Sequence, residues 1–303
     1  MNDYRPSSNL RSMTSIPKPA LQPVQSEFRP APFEDRFIEA NGVRLHYLDY
    51  GTAGHTPMLC LHGGAVNAHW FDFVAAGFTA SHHVRALDQR GHGDSAWAQP
   101  SDYSYDRYAA DVAKVVERLD LRDFVMMGHS MGGLVSLIYA ATYPGRVKKV
   151  VIIDSTLVAT PDRVAALHQV GGREGKNYAT QRDFVENFRV RPAGTTAAPE
   201  ILRHLAERSG REQPDDQWRH KFDRNVYSKR VLIDIPPHWN RIGIPVLLVK
   251  GGCSDRITPG IIADAKSRCP HIDVVEVPGA DHHVTLDNPS GFVTTVNAWL
   301  AHE

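Results

Sequence analysis

Residues 124–140 read FVMMGHSMGGLVSLIYA: an apolar run, a glycine-rich turn and a second apolar run. The first run has the length of a short buried strand, and the second indicates the start of an apolar helix. Ser130 stands between them in the pattern Gly-x-Ser-x-Gly, with Gly128 and Gly132 on either side. Glycines alone indicate only a tight turn, because they tolerate positive φ. Between a strand and a helix, however, this pattern is typical of a turn that lifts a serine hydroxyl out of the chain, so Ser130 is a candidate nucleophile.

Strand and helix patterns alternate on both sides of this unit. An alternating stretch near the start is centred on Asn41-Gly42, the strongest short hairpin signal. Apolar strands that alternate with amphipathic helices predict an α/β fold, with a mostly parallel sheet covered by helices on both faces and antiparallel strands at one edge. The runs that predict strands lie at 57–61, 83–87, 147–153, 244–249 and 272–277, and those that predict helices at 108–119, 259–268 and 291–303.

The pattern divides the chain into three parts. Residues 1–33 are rich in Pro, Ser and Arg, which predicts an extended N-terminal arm. Residues 34–155 and 241–303 carry the alternating strands and helices and form the predicted core. The gap at 156–240 contains scattered aromatic residues and helical stretches. Because it is too long for a simple connection between two strands, we interpret it as an inserted helical cap.

Composition excludes several classes of protein. The 303 residues include 34 acidic and 34 basic side chains, a balance that argues against a nucleic-acid partner. No stretch approaches the roughly 18 apolar residues that would span a bilayer, so no membrane partner is expected. Three cysteines, widely spaced, show neither a disulfide framework nor a zinc pattern, and no apolar signal segment opens the chain. We therefore expect a cytoplasmic protein.

Residues suited to nucleophilic catalysis follow several predicted strands. Ligands of open parallel sheets bind beyond the carboxyl ends of the strands. Ser130, Asp154, Asp255 and the pair His282–His283 all follow such strands. A serine hydroxyl becomes a good nucleophile when a histidine takes its proton, and an acid must orient that histidine. The residues alone leave both aspartates open as the acid.

Five motifs stand at fixed places along the chain: LHGG at 61–64, DQRGHGDS at 88–95, GHSMGG at 128–133, GGCSDRITP at 251–259 and PGADHH at 278–283. With these motifs the chain resembles the α/β-hydrolase superfamily over about residues 36–302, in the cap-bearing branch of small esterases, haloperoxidase-like enzymes and C–C bond hydrolases. The resemblance implies an eight-stranded, mostly parallel sheet with an inserted helical cap. It also implies Ser130 as nucleophile, Asp255 as acid, because SDRITP has the acid-then-proline shape of the family, and His282 as base. Branches with an aspartate at the elbow, the dehalogenases and epoxide hydrolases, do not fit.

The resemblance also suggests the oxyanion hole and the pocket. Two backbone N–H groups should face the developing negative charge. Met131, which follows the nucleophile, is expected to supply one, and Gly64 the other, with Ala65 as the alternative. The substrate pocket is expected to include Ala65, Trp70, His129 and His283.

The expected activity is a serine hydrolase that cleaves small carboxylic esters through an acyl-enzyme, with no cofactor or metal. The first alternative keeps the triad but changes the bond to C–C, lactone or amide. Further alternatives are a perhydrolase or lyase and a non-catalytic ligand receptor on the same fold. The expected partner is a small ester-like molecule, and the chain is expected to be a monomer or homodimer.

Overall fold

A computed structural model describes residues 29–158 and 160–302. Most of the predicted N-terminal arm, residues 1–28, therefore lies outside the described part of the chain. The described end of that arm is held against the rest of the protein, because the Ala31 N–H donates to the carbonyl of Asp72 at 2.7 Å.

The described strands form a large sheet and a small one. The large sheet has eight strands in the order β1-β2-β4-β3-β5-β6-β9-β10, and β7 pairs with β8 in the small sheet. The ten strands are β1 Glu34–Ala40, β2 Val43–Asp49, β3 Thr56–Leu61, β4 His82–Leu87, β5 Phe124–His129, β6 Val147–Ile153, β7 Gly210–Glu212, β8 Trp218–His220, β9 Val246–Gly251 and β10 Ile272–Val277.

Pairing within the large sheet confirms the predicted arrangement. In the run β4-β3-β5-β6-β9-β10 each adjacent pair of strands is parallel. The pairs β1–β2 and β2–β4 are antiparallel. Strands β1 and β2 form the predicted hairpin, in which Ala40 pairs with Val43. The two residues of its loop, Asn41 and Gly42, have φ values of 50° and 76°. Two positive values in succession are what a tight two-residue turn requires, and Asn-Gly tolerates them.

Helices cover both faces of the large sheet. Strand side chains alternate between two clusters of buried apolar residues: in β6, Val150 and Ile152 join one cluster, and Val151 and Ile153 join the other. This alternation explains why the central strands read as continuous apolar runs. The α-helices are α1 Tyr105–Arg118, α2 Met131–Thr142, α3 Pro161–Gly172, α4 Gln181–Asn187, α5 Pro199–Ser209, α6 Asn225–Ser228, α7 Pro236–Trp239, α8 Pro259–Arg268, α9 Val284–Asp287 and α10 Pro289–Leu300. None of the helices described here combines the length and apolar character needed to cross a membrane.

The segment between β6 and β9 holds α3 to α7 and the small sheet. Three of its side chains bond to loops that follow strands of the large sheet or lie beside them. His204 bonds to Asp72 at 2.6 Å, Lys221 to Asp94 at 2.7 Å, and Asp223 accepts from Tyr103. These bonds hold the inserted segment over one edge of the sheet.

Candidate active site

Ser130 occupies a sharp turn between β5 and α2. Its φ of 51° and ψ of −112° lie in a region that non-glycine residues rarely adopt. Its N–H donates to the carbonyl of Ile153 at 2.9 Å, which ties the turn to the end of β6. The flanking glycines are required by close packing. A Cβ on Gly132 would lie 2.2 Å from the carbonyl oxygen of Leu61, and one on Gly128 would lie 2.3 Å from that of Gly132.

His282 lies in the loop after β10 and is buried, with 3% of its surface exposed. Its Nδ1 hydrogen-bonds to Oδ2 of Asp154 at 2.8 Å. Its carbonyl oxygen accepts a hydrogen bond from Nε2 of His129 at 2.9 Å. Because Nδ1 is engaged by the carboxylate, Nε2 is the ring nitrogen of His282 that remains for proton transfer.

Asp154 is the first residue after β6 and is fully buried. Oδ2 accepts from the Ser254 hydroxyl at 2.7 Å as well as from His282, and Oδ1 accepts from the N–H of Gly251 at 3.2 Å. Burial raises the pKa of Asp154, while the hydrogen bonds from Ser254 and Gly251 act in the opposite direction. The carboxylate thus has donors on both oxygens and a fixed orientation towards His282.

The expectation that Asp255 orients His282 is wrong, because the structure places Asp154 on the imidazole instead. Asp255 is exposed to solvent. The physical reason lies in the loop after β9. That strand ends at Gly251, and the next four residues carry Asp255 away from the sheet edge. The last residue of β9, Gly251, and Ser254 in the following loop each donate a hydrogen bond to the acid at the end of the neighbouring strand β6.

Burial lowers the pKa of His282, and the charges of His283, Arg256 and Arg163 lower it further. The imidazole is therefore neutral at neutral pH, which is the state that can accept a proton from a serine hydroxyl.

Ser130 and His282 line one cavity of about 330 Å³, at the low end of the range for small-molecule sites. Gly64 and Met131 line it too. Met131 is the first residue of α2, so its N–H has no acceptor within the helix. A Cβ on Gly64 would lie 2.5 Å from the Tyr227 hydroxyl, which shows how closely the inserted segment approaches this loop.

Three of the four side chains expected in the pocket line this cavity: Trp70, His129 and His283. Trp70 stacks on His129, with ring centroids 5.0 Å apart and planes 16° apart. The Nε2–H group of His283 donates a hydrogen bond to the carbonyl oxygen of Pro192, 2.8 Å away in the inserted segment. The fourth, Ala65, does not line the cavity. It lies in the turn after β3, where its backbone has a positive φ of 60°.

Sequence reasoning missed the charged residues of the cavity. Its lining includes Arg163 and Arg230 from the inserted segment and Arg256 beside Asp255. The segment 156–239 has 14 basic and 11 acidic residues, and so small an excess gave no sign that its arginines converge on one place.

Three groups in the described residues bring histidine and carboxylate atoms close enough to hold a metal. One is the trio His129, His282 and His283, whose ring nitrogens lie within 4.8 Å of one another. Each of these rings already has one nitrogen hydrogen-bonded within the protein. The other two groups are His69, Asp72 and His204, and His46, Asp88 and Asp94.

Comparison with known proteins agrees with this architecture. The sequence model of the family described as "alpha/beta hydrolase fold" matches residues 56–289, and the chain belongs to that family. Among curated relatives, a 2-(acetamidomethylene)succinate hydrolase of Mesorhizobium japonicum is 28% identical, covering 85% of this chain and 91% of its own. An esterase of Mycobacterium tuberculosis is also 28% identical, covering 82% of this chain and 84% of its own.

Solved structures give the same result. A crystal structure of E-2-(acetamidomethylene)succinate hydrolase superposes with a TM-score of 0.79 at 25% identity, covering 89% of this chain and 99% of the other. The resemblance read from the sequence motifs is confirmed, and so is the expected fold. The family and the names of these relatives identify the chain as a hydrolase.

Proposed function

We propose that the chain is a serine hydrolase that cleaves small carboxylic esters through an acyl-enzyme, with Ser130, His282 and Asp154 as its triad. The observation that carries the proposal is the buried hydrogen bond between His282 and Asp154, at the wall of a cavity that Ser130 also lines. A neutral imidazole oriented by a buried carboxylate beside a half-buried turn serine is the arrangement that nucleophilic acyl transfer needs.

In the acylation step, Nε2 of His282 takes the proton of Ser130 while Oγ attacks the carbonyl carbon of the ester. The carbonyl electrons move to the oxygen, which becomes an oxyanion. Collapse of this intermediate breaks the bond to the alcohol, and His282 returns the proton to the departing oxygen. Asp154 stays ionised and stabilises the imidazolium that forms between these two transfers.

Deacylation repeats the step with water. His282 takes a proton from a water molecule, the hydroxide attacks the acyl-enzyme carbonyl, and Oγ of Ser130 leaves with the proton that His282 gives back. In both halves the oxyanion would be stabilised by backbone N–H groups of Met131 and Gly64, whose value comes from their fixed position before the reaction.

Amide hydrolysis with the same triad is the second candidate. It is supported by the relative named 2-(acetamidomethylene)succinate hydrolase, which aligns over nearly its whole length. Esters remain the first choice because their alcohols leave more easily than amines, so an ester makes the smaller demand on the proton that His282 returns.

The test is a series of 4-nitrophenyl esters from acetate to palmitate, with Ser130→Ala as the blank. In a cavity of about 330 Å³ we expect kcat/KM to rise with chain length and then fall. The fall should begin beyond roughly eight carbons, where further methylenes, worth about 0.8 kcal/mol each when buried, no longer fit. Turnover that persists in Ser130→Ala would refute the proposal, and a preference for palmitate would refute the small pocket.

A further inference from the structure

The cavity beside Ser130 carries a concentrated positive charge. Four of the residues that line it are arginines, and none of its lining residues, all of them in the described part of the chain, is Asp or Glu. Within residues 29–158 and 160–302, none of these four guanidinium groups forms an ion pair with a carboxylate. The four are Arg163, Arg191, Arg230 and Arg256.

Arg230 is the most enclosed of the four, with 4% of its surface exposed. Nη2 contacts Sδ of Met131 at 3.1 Å, and the guanidinium carbon lies 4.8 Å from the centre of the Tyr105 ring. Its Nε and Nη1 atoms are buried and have no hydrogen-bond partner. The group therefore lies against the residue that follows the nucleophile, with two of its three nitrogens unsatisfied.

Arg90 is a second buried arginine in this protein, and unlike Arg230 it is paired with a carboxylate. It is also 4% exposed, but its guanidinium binds Asp111 through two hydrogen bonds, at 2.5 and 2.7 Å. An unpaired buried charge is costly, and protein interiors normally provide a counter-charge. Among the described residues, Arg230 has the neutral side chain of Tyr105 beside it but no carboxylate, so a negatively charged group of a ligand is suited to supply the counter-charge.

Two further arginines add to the positive potential near the base. Burial and the charge of Arg256 lower the pKa of Arg163, while the charge of Asp255 acts in the opposite direction, so Arg163 and Arg256 lie close enough to repel each other. Both also depress the pKa of His282, so their charges act directly at the reacting end of the cavity. An anionic ligand would relieve the repulsion between Arg163 and Arg256.

We propose that this cavity selects esters whose acyl group carries a free carboxylate, and that Arg230 is the residue that binds this carboxylate. The inference rests on the proposed serine hydrolase function and adds the substrate class. Planar guanidinium groups recognise planar carboxylates well, through charge-assisted hydrogen bonds. Leu134, Val164 and Ile233 also line the cavity, so a short aliphatic chain between the ester and the carboxylate suits it.

The first experiment uses the wild-type protein and two matched substrates. Mono-4-nitrophenyl glutarate ends in a carboxylate, and 4-nitrophenyl 5-methylhexanoate ends in an uncharged branched group of similar shape. We expect kcat/KM to be roughly 10- to 100-fold higher for the glutarate ester, after subtraction of the rate without enzyme, since a hydrogen bond to a charged group contributes that much. Equal values, or a preference for the uncharged ester, would overturn the proposal.

The second experiment assigns the selectivity to Arg230. In Arg230→Met the ratio of the two kcat/KM values should fall to about one. Arg230→Lys keeps the positive charge on a single ammonium group and should retain part of the preference for the glutarate ester. Arg173→Met is the matched control: Arg173 is exposed at the end of α3 and does not line the cavity, so its ratio should equal that of the wild type. Circular dichroism checks folding, and Arg230→Lys decides the assignment if Arg230→Met does not fold. A ratio unchanged in a folded Arg230 variant would overturn the assignment.

A third measurement separates this proposal from the proposed function. Calorimetric titration of the Ser130→Ala protein compares glutarate with the uncharged glutaramide, and requires no turnover. Tighter binding of glutarate, lost in the Ser130→Ala/Arg230→Met protein, supports the carboxylate site even if neither ester is cleaved. Equal binding of the two compounds would overturn it even if Ser130 proves to be the nucleophile.

Discussion

Two aspartates follow neighbouring parallel strands, Asp154 after β6 and Asp255 after β9, and their surroundings differ in every respect that matters for catalysis. Asp154 is fully buried, accepts hydrogen bonds on both oxygens and contacts His282. Asp255, four residues beyond the end of its strand, is exposed to solvent.

The difference shows that a position after a strand is not enough to make an acid part of a triad. An orienting acid needs a fixed geometry, and fixed geometry requires donors that occupy its remaining lone pairs. Gly251 at the end of β9 and Ser254 in the following loop are such donors to Asp154, whereas Asp255 in the same loop lies in water, where charges are screened.

Removal of the proposed nucleophile sets the scale for comparing the two acids. Ser130→Ala should lower kcat by about 10⁵- to 10⁶-fold, as expected when the attacking atom is lost and only binding and oxyanion contacts remain. The variant should fold normally, because Ser130 lines a cavity and lacks a packed side-chain role. Steady-state kinetics on a 4-nitrophenyl ester measures the loss, and a decrease of less than tenfold would mean that another residue attacks.

The two acids themselves should give the largest contrast between neighbouring regions. Asp154→Asn should lower kcat by about 10⁴-fold, because the amide favours the wrong tautomer of His282 and does not stabilise its cation. Asp255→Asn should stay within a factor of about three of the wild type, since an exposed charge contributes little. If the Asp255 variant proves the more damaged of the two, the orientation of His282 seen in the structure is not the catalytic one.

Removal of a side chain that donates a hydrogen bond to Asp154 should lower kcat less than removal of the acid itself. Ser254→Ala removes one hydrogen bond from Oδ2 of Asp154 and should lower kcat about tenfold, in line with the loss of a hydrogen bond to a charged group. Cys253→Ala, at the exposed neighbouring position, is the control and should leave kcat unchanged. Equal activity of both variants would show that Gly251 alone positions the acid.

The pH profile tests the electrostatics on the same side of the cavity. Because burial and the nearby positive charges lower the pKa of His282, its neutral form persists below the ordinary value of 6.5. The acid limb of kcat/KM for an uncharged ester should therefore lie below pH 6.5. Arg256→Gln removes one of these charges and should move the limb upwards. An acid limb at pH 7 or above, or no movement in the variant, would contradict this account.

Much of this arrangement could be predicted from the sequence, because local rules dictate it. Gly128 and Gly132 on either side of Ser130 predict the turn, because a larger side chain at either position would clash with the backbone. Asn41 and Gly42 predict the hairpin, because both residue types tolerate the positive φ values that its turn requires. The apolar runs predict the strands because parallel strands are buried on both faces.

The choice of acid and the charge of the cavity could not be predicted in the same way. Both depend on contacts between residues far apart in the chain: Asp154 meets Ser254 and His282, and Arg230 meets Met131. The motif around Asp255 pointed to the wrong strand because the shape of a local sequence does not specify which of two neighbouring loops buries its carboxylate. The arginines of the cavity could not be predicted, because counting the acidic and basic residues of a segment does not show which of them meet in the folded protein.

The most direct test of the central claim, that Ser130, His282 and Asp154 act as one unit, is the rate at which a fluorophosphonate labels the protein, followed by intact-mass and peptide mass spectrometry. The account predicts a single adduct on Ser130 in the wild type, with labelling slowed by orders of magnitude in Asp154→Asn and unchanged in Asp255→Asn. An adduct on any other residue, or a slower reaction in Asp255→Asn than in Asp154→Asn, would contradict it.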